Sequence, residues 1–181
     1  MWWKAAEDQL DLGMILALAI AASIASCSIE NAQYVLRGAP GVTARFYNVQ
    51  TSSDWPTGLA LDVHVARSGR SYWFLPWQGG TDQKTNLAWV REANSPFVGQ
   101  AIRRDIEMFA TDASYDLRPD ILKARDVAPA HLLLPDVGHL AWYSTTAAER
   151  DSLPRAFFDL AKCRVPNRSE KAPQIEFPAI P

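Results

Sequence analysis

The stretch "LALDVHVARSGRSYWFLPW" (residues 59–77) decides how the domain is read. Leu59, Leu61, Val63 and Val65 fall on one face, while Ala60, Asp62 and His64 fall on the other. That period of two is the signature of a half-buried strand. "RSGR" (67–70) then supplies a tight connection, with Gly69 free to adopt positive φ. "SYWFLPW" (71–77) is the return strand, and Pro76 places its end at an edge. In this strand Tyr72 and Phe74 share one face, and Trp73, Leu75 and Trp77 share the other. Both faces are apolar, so something must cover the second. A helix of this chain, a partner protein or a carbohydrate would each suit.

Upstream, "VTARFYNVQ" (42–50) is rich in β-branched and aromatic residues, with Val42, Ala44 and Phe46 on one side. "QYVLR" (33–37) reads as a shorter strand closed by Gly38, Pro40 and Gly41, and "SSDWPTG" (52–58) as a turn-rich loop. Downstream, "QGGTDQKT" reads as a loop and "NLAWVR" (86–91) as a third strand of the meander. Ser95 and Pro96 then suit the start of a helix over 96–110, with Val98, Ile102, Ile106 and Phe109 on one stripe. "DILKARDV" (120–127) reads as a second short helix, and "AHLLLP" (130–135) and "HLAWYS" (139–144) as extended segments. Residues 146–162 read as helical, kinked or started near Pro154. This order predicts an α+β domain, an antiparallel β-meander covered by helices, with a decorated β-sandwich as the alternative. The expected organisation is a targeting segment over 1–27, one globular domain over 28–165 and a proline-rich tail over 166–181.

Composition fits one compact domain. The chain has 181 residues, 48% of them hydrophobic, with seven Trp and seven Phe. Its 18 basic and 20 acidic residues leave a net charge of −2, and no basic run points to nucleic acid. No glycine-rich phosphate cradle and no clustered metal-ligand motif is present, so no cofactor and no metal are expected.

"MILALAIAASIASCS" (14–28) carries the address. The run Leu12–Ser26 has 15 residues without a charge, short for a bilayer span of about 20 residues but suited to an export signal. Ile24, Ala25, Ser26 and Cys27 resemble the processing box of bacterial lipoproteins. That resemblance implies lipidation of Cys27, acyl chains in a membrane at about 0.8 kcal/mol per buried methylene, and, because Ser28 follows, the outer membrane. An ordinary cleaved signal or a retained anchor are the alternatives, since Glu7, Asp8 and Asp11 accompany Lys4. If Cys27 is retained without lipid, a disulfide to Cys163 would tie the start of the domain to its end in an oxidising compartment.

The candidate site residues follow from these strands. Asp62 and His64 share a face, where the carboxylate could tune the imidazole. His131 and His139 flank Asp136 in "HLLLPDVGH" (131–139), which a turn could bring together. Trp55 and Trp77 sit beside loops, and Tyr72 lies on the return strand, as a binding platform for a protein or glycan would require. The reading is an envelope lipoprotein with a non-catalytic binding or structural role, facing the periplasm. The alternatives are a periplasmic or secreted location, and a periplasm-facing hydrolase using His and Asp side chains.

Overall fold

A computed structural model describes residues 27–53, 55–78, 85–90, 105–143, 150–165 and 175. The described residues form a closed antiparallel barrel in which each strand pairs with the next and the last with the first. The strands are β1 (Ala32–Leu36), β2 (Ala39–Asn48), β3 (Leu59–Val65), β4 (Arg70–Gln78), β5 (Thr85–Val90), β6 (Asp105–Thr111), β7 (His131–Leu133) and β8 (Phe157–Cys163). One helix, α1 (Val137–Tyr143), lies between β7 and β8. The α+β meander covered by helices is therefore corrected to an eight-stranded barrel, and the decorated sandwich falls with it.

Alternation along each strand creates the barrel's interior. Tyr34, Phe46, Leu61, Phe74, Leu87, Met108, Leu132 and Phe158, one from each strand, belong to a single buried cluster. Eight strands enclose a space just wide enough to be filled by side chains or to hold one small ligand. Here large aromatic side chains occupy it, with Tyr34, Phe46, Phe74 and Phe158 all fully buried. Each such burial contributes about 1.5–3 kcal/mol. The interior is apolar, and charged residues such as Arg37 and Asp159 lie on the outside.

The 59–77 hairpin forms as read. Register runs from Val65↔Arg70 to Leu61↔Phe74, and Gly69 takes φ 69° in the connection. Pairing with β3 stops at Phe74, so Pro76 sits where β4 has parted from that neighbour. Its carbonyl instead accepts from the Thr57 hydroxyl at 3.3 Å. This is the edge-like setting a proline requires, inside a sheet that has no true edge.

Both ends of the barrel are closed. At one end α1 turns Val137, Leu140 and Ala141 onto the core, the i, i+3, i+4 spacing of one helix face. Gly138 allows that seating, since a Cβ there would lie 2.5 Å from the Leu153 carbonyl oxygen. Asp151, fully buried, then locks the following segment to the β3–β4 turn. Its Oδ2 accepts from Ser68 Oγ at 2.9 Å and Tyr72 OH at 2.8 Å, and Arg70 Nε lies 3.2 Å away. Burial, and then the adjacent carboxylate, push the Tyr72 phenol well above its ordinary pKa, so it remains a donor.

At the other end Ile29, Leu122 and Ala128 join the core. Ile29 N–H donates to the Asp126 carbonyl at 2.9 Å, and Ala128 N–H to that of Cys27 at 2.8 Å. Tyr34 OH donates to the Pro129 carbonyl at 3.0 Å. A disulfide joins Cys27 to Cys163 with their Cα atoms 5.6 Å apart, beside the β1–β8 seam where Ala32 faces Cys163.

Four local readings are corrected. The C-terminal part of the expected 96–110 helix is β6, where Ile106, Met108 and Ala110 are buried in alternation; residues 91–104 lie outside the described residues. Residues 120–127 form no helix but an irregular plug, with Arg125 at φ 75°. Residues 139–144, read as extended, belong to α1 up to Tyr143. Of 146–162, read as helical, residues 157–162 lie in β8, because pairing with β1 and β7 outweighs local helix preference. The loop at 79–84, and the tail apart from Ile175, lie outside the described residues.

Candidate functional site

Two outer walls of the barrel carry the candidate chemistry. The first is the wall of β2–β5, where most of the sequence-selected residues fall. Asp62 is 8% exposed and lies in register with Arg45 on β2 and Trp73 on β4. His64 shares its face, but its Nδ1 sits 3.2 Å from Ser71 Oγ. Arg45 Nη1 donates to Tyr47 OH at 2.8 Å, its Cζ lies 4.6 Å from that ring's centroid, and Tyr47 in turn meets Trp73 at 5.3 Å. Trp55 is buried in an apolar cluster with Ala60, Trp73, Leu75, Ala88 and Val90, and Trp77 packs at its margin half-buried. Tyr72 is not on this wall at all. It points into the barrel and is spent on Asp151. The Trp55–Tyr72–Trp77 platform is thus divided between two sides of the sheet.

The second wall, over β7, β8 and β1, carries an ordered polar cluster. His131 and Asp159 are direct cross-strand partners, and His131 Nδ1 lies 2.7 Å from Asp159 Oδ1. Arg37, just beyond β1, grips the same carboxylate with two bonds of 2.9 and 2.7 Å. This fork geometry is the strong form of an Arg–carboxylate pair. Those bonds from Arg37, and then the one from His131, hold the Asp159 carboxyl below the usual carboxylate range. The Nδ1 contact fixes the orientation of the His131 ring against the carboxylate.

Tyr115 completes the cluster from the β6–β7 connection. The Asp112 carboxylate accepts from the backbone N–H groups of Ser114 (2.7 Å) and Asp116 (3.1 Å), closing a tight loop. The loop sets Tyr115 at φ 67°, a left-handed conformation costing roughly 1–2 kcal/mol for a residue with a Cβ. In return its ring stacks on His131, 4.3 Å between centroids and 4° from parallel, and its hydroxyl accepts from Arg37 at 2.8 Å. Phe157 meets Tyr115 edge-on at 5.3 Å. Tyr115 nevertheless remains 47% exposed.

The other polar candidates disperse. His139 contacts Tyr143 on α1, and Asp136 pairs with Arg155 at 3.7 Å, so the 131–139 turn does not join His131 to His139 through Asp136. Among the described residues no group of three or more His, Cys, Asp or Glu side chains could hold a metal. Cys27 is paired with Cys163, the arrangement expected where Cys27 is retained without lipid. Among the described residues no helix is long and apolar enough to cross a membrane. Comparison with protein-family models, with curated proteins and with solved structures found no match.

Sequence reading missed the role of Arg37, Tyr115, Phe157 and Asp159. Arg37 and Asp159 are 122 residues apart, and only closure of β8 onto β1 joins them. One local signal was readable: "DASYD" (112–116) begins and ends with turn-favouring Asp.

Proposed function

We propose that this chain is an exported barrel domain of the cell envelope with a non-catalytic binding role, and that its partner is a protein docking on the β7–β8–β1 wall. The observation that carries this reading is Tyr115, strained at φ 67° yet left exposed in an ordered group with Arg37, His131 and Phe157. Strain kept at the surface indicates a function rather than packing. Tyr, Arg and aromatic side chains held in one geometry are also what interface hot spots are made of. The filled interior supports an outer-wall role over an internal ligand. Export is supported by the apolar 14–28 stretch and by the Cys27–Cys163 disulfide, which an oxidising compartment maintains. Lipidation competes with that disulfide for the Cys27 sulfur, so a periplasmic or secreted domain is the favoured address.

The His131–Asp159 pair also has the form of a hydrolase base and its orienting carboxylate. Among the described residues, however, no hydroxyl or thiol nucleophile is bonded to His131. Photo-crosslinking in the envelope of the organism that encodes the chain tests the binding role. A crosslinking residue at position 115 is expected to yield a discrete protein adduct, lost when His131→Ala and Arg37→Ala are added. The same residue at exposed Ser71, on the opposite wall, is expected to yield none. No adduct at 115, or equal adducts at both positions, overturns the proposal.

A further inference from the structure

The outer wall of β3–β5 contradicts what an outward-facing sheet should be. Trp73, Leu75, Ala88 and Val90 point away from the barrel, yet all are buried in a second apolar cluster. Trp55 covers part of this wall from the β2–β3 connection, held by reciprocal backbone bonds with Ser52 and by a 3.2 Å bond to its hydroxyl. Another covering residue is Ile175, which packs against the same cluster and makes a single-residue β-bridge through its backbone.

Ile175 comes from far away in the fold. It lies 12 residues beyond Cys163, the last residue of β8, and β8 is on the opposite side of the barrel from β4. Twelve extended residues reach at most about 40 Å, enough to travel round one end. The tail suits that path. "APQIEFPAIP" (172–181) has prolines at 173, 178 and 181, which bar a helix and favour an extended chain, and its apolar residues include Ile175 and Phe177 two apart. The wall also keeps an unused polar group. Trp73 Nε1 is a buried donor that finds no acceptor among the described residues.

We propose that the β3–β5 outer wall is a groove for an extended, proline-bracketed apolar peptide, and that the chain's own tail, anchored by Ile175, is its occupant. This site is distinct from the β7–β8–β1 cluster and does not depend on it. The wall is a binding site filled in cis, which a segment of the same chemistry can enter when the tail leaves.

The test uses the full chain and a labelled synthetic peptide of residues 172–181. Ile175→Asp empties the groove, so the peptide is expected to bind that variant saturably and the wild-type chain at least tenfold more weakly. A peptide carrying the same Asp is expected not to bind. Near-ultraviolet circular dichroism checks that the variant is folded. Should it not fold, the milder Ile175→Ala is read instead through the ¹⁵N indole resonance of Trp73, assigned with Trp73→Phe. That resonance is expected to move in the variant. Peptide binding to neither chain, or equally to both, overturns the proposal, as does an unmoved Trp73 resonance.

Discussion

On β4 the outward-facing Trp73 and Leu75 are as inaccessible as interior side chains, whereas on β8 the outward-facing Asp159 keeps 37% of its side chain in solvent. Backbone and curvature are common to both walls, so the contrast lies in the side chains and in what covers them. The β3–β5 wall is ordered by apolar burial, which is strong and without direction. The β7–β8–β1 wall is ordered by a forked ion pair, a histidine bond and a stacked ring, which are weak in water but directional. The first wall therefore holds stability, and the second holds a fixed side-chain geometry, which the proposed partner would recognise.

The sharpest way to break this contrast is to hollow the apolar wall. Trp73→Ala removes a large side chain whose neighbours cannot all close in, and is expected to cost about 3–5 kcal/mol in equilibrium urea unfolding. Leu75→Ala is expected to cost about 2–5 kcal/mol in the same measurement. If both fall below about 1 kcal/mol, the wall is a surface that tolerates loss, and the second core has no energetic meaning.

The seam under the polar wall offers the next test. β7 has three residues and β8 carries exposed Ala161 and Lys162, so few apolar contacts hold this side. The disulfide does part of that work by constraining the unfolded chain. Replacing both Cys27 and Cys163 by Ser is expected to cost about 2–4 kcal/mol. Hydrogen exchange should show the loss first at the β1–β8 pairing. Loss of protection first at β3–β4 would mean that the apolar wall, not the seam, is the weaker side.

These two walls also differ in how much of them a sequence can disclose. Alternation of Leu59, Leu61, Val63 and Val65 exposed β3, and two apolar faces on β4 revealed that its outside needed a cover. Both are properties of a few consecutive residues. β8 is different. Phe158 is its one fully buried residue, with Leu160 and Cys163 packed against the core, while Ala161 and Lys162, and Arg155 and Ala156 just before it, favour a helix locally. Its strand state comes from β1 and β7, which lie over a hundred and over twenty residues earlier. The same pairing assembles the Arg37–Asp159–His131 group, so neither barrel closure nor this site was legible without the other. His131 itself was visible as a candidate, but its partner was sought in Asp136, five residues on in sequence, rather than Asp159 across the sheet.

The smallest expected effects belong to the polar wall, and they separate shape from stability. His131→Ala removes one hydrogen bond and one stacking contact, and is expected to cost under about 1.5 kcal/mol. Asp159→Asn keeps the shape of the side chain and removes its charge, which gives the loss a pH signature. The folded pKa of Asp159 lies below its unfolded value of about 3.9, because Arg37 and His131 bind the ionised form. A depressed pKa contributes stability in full above the unfolded value and loses it as pH falls through the folded value. Wild type should thus exceed Asp159→Asn in stability by a small constant margin at neutral pH. The margin should shrink below about pH 4 and vanish once the carboxylate is protonated in both states. Unfolding curves of the two proteins across this range check the sign. A margin unchanged at the acid end would mean that the lost interaction is steric, leaving the Arg37 fork without a part in ordering the wall.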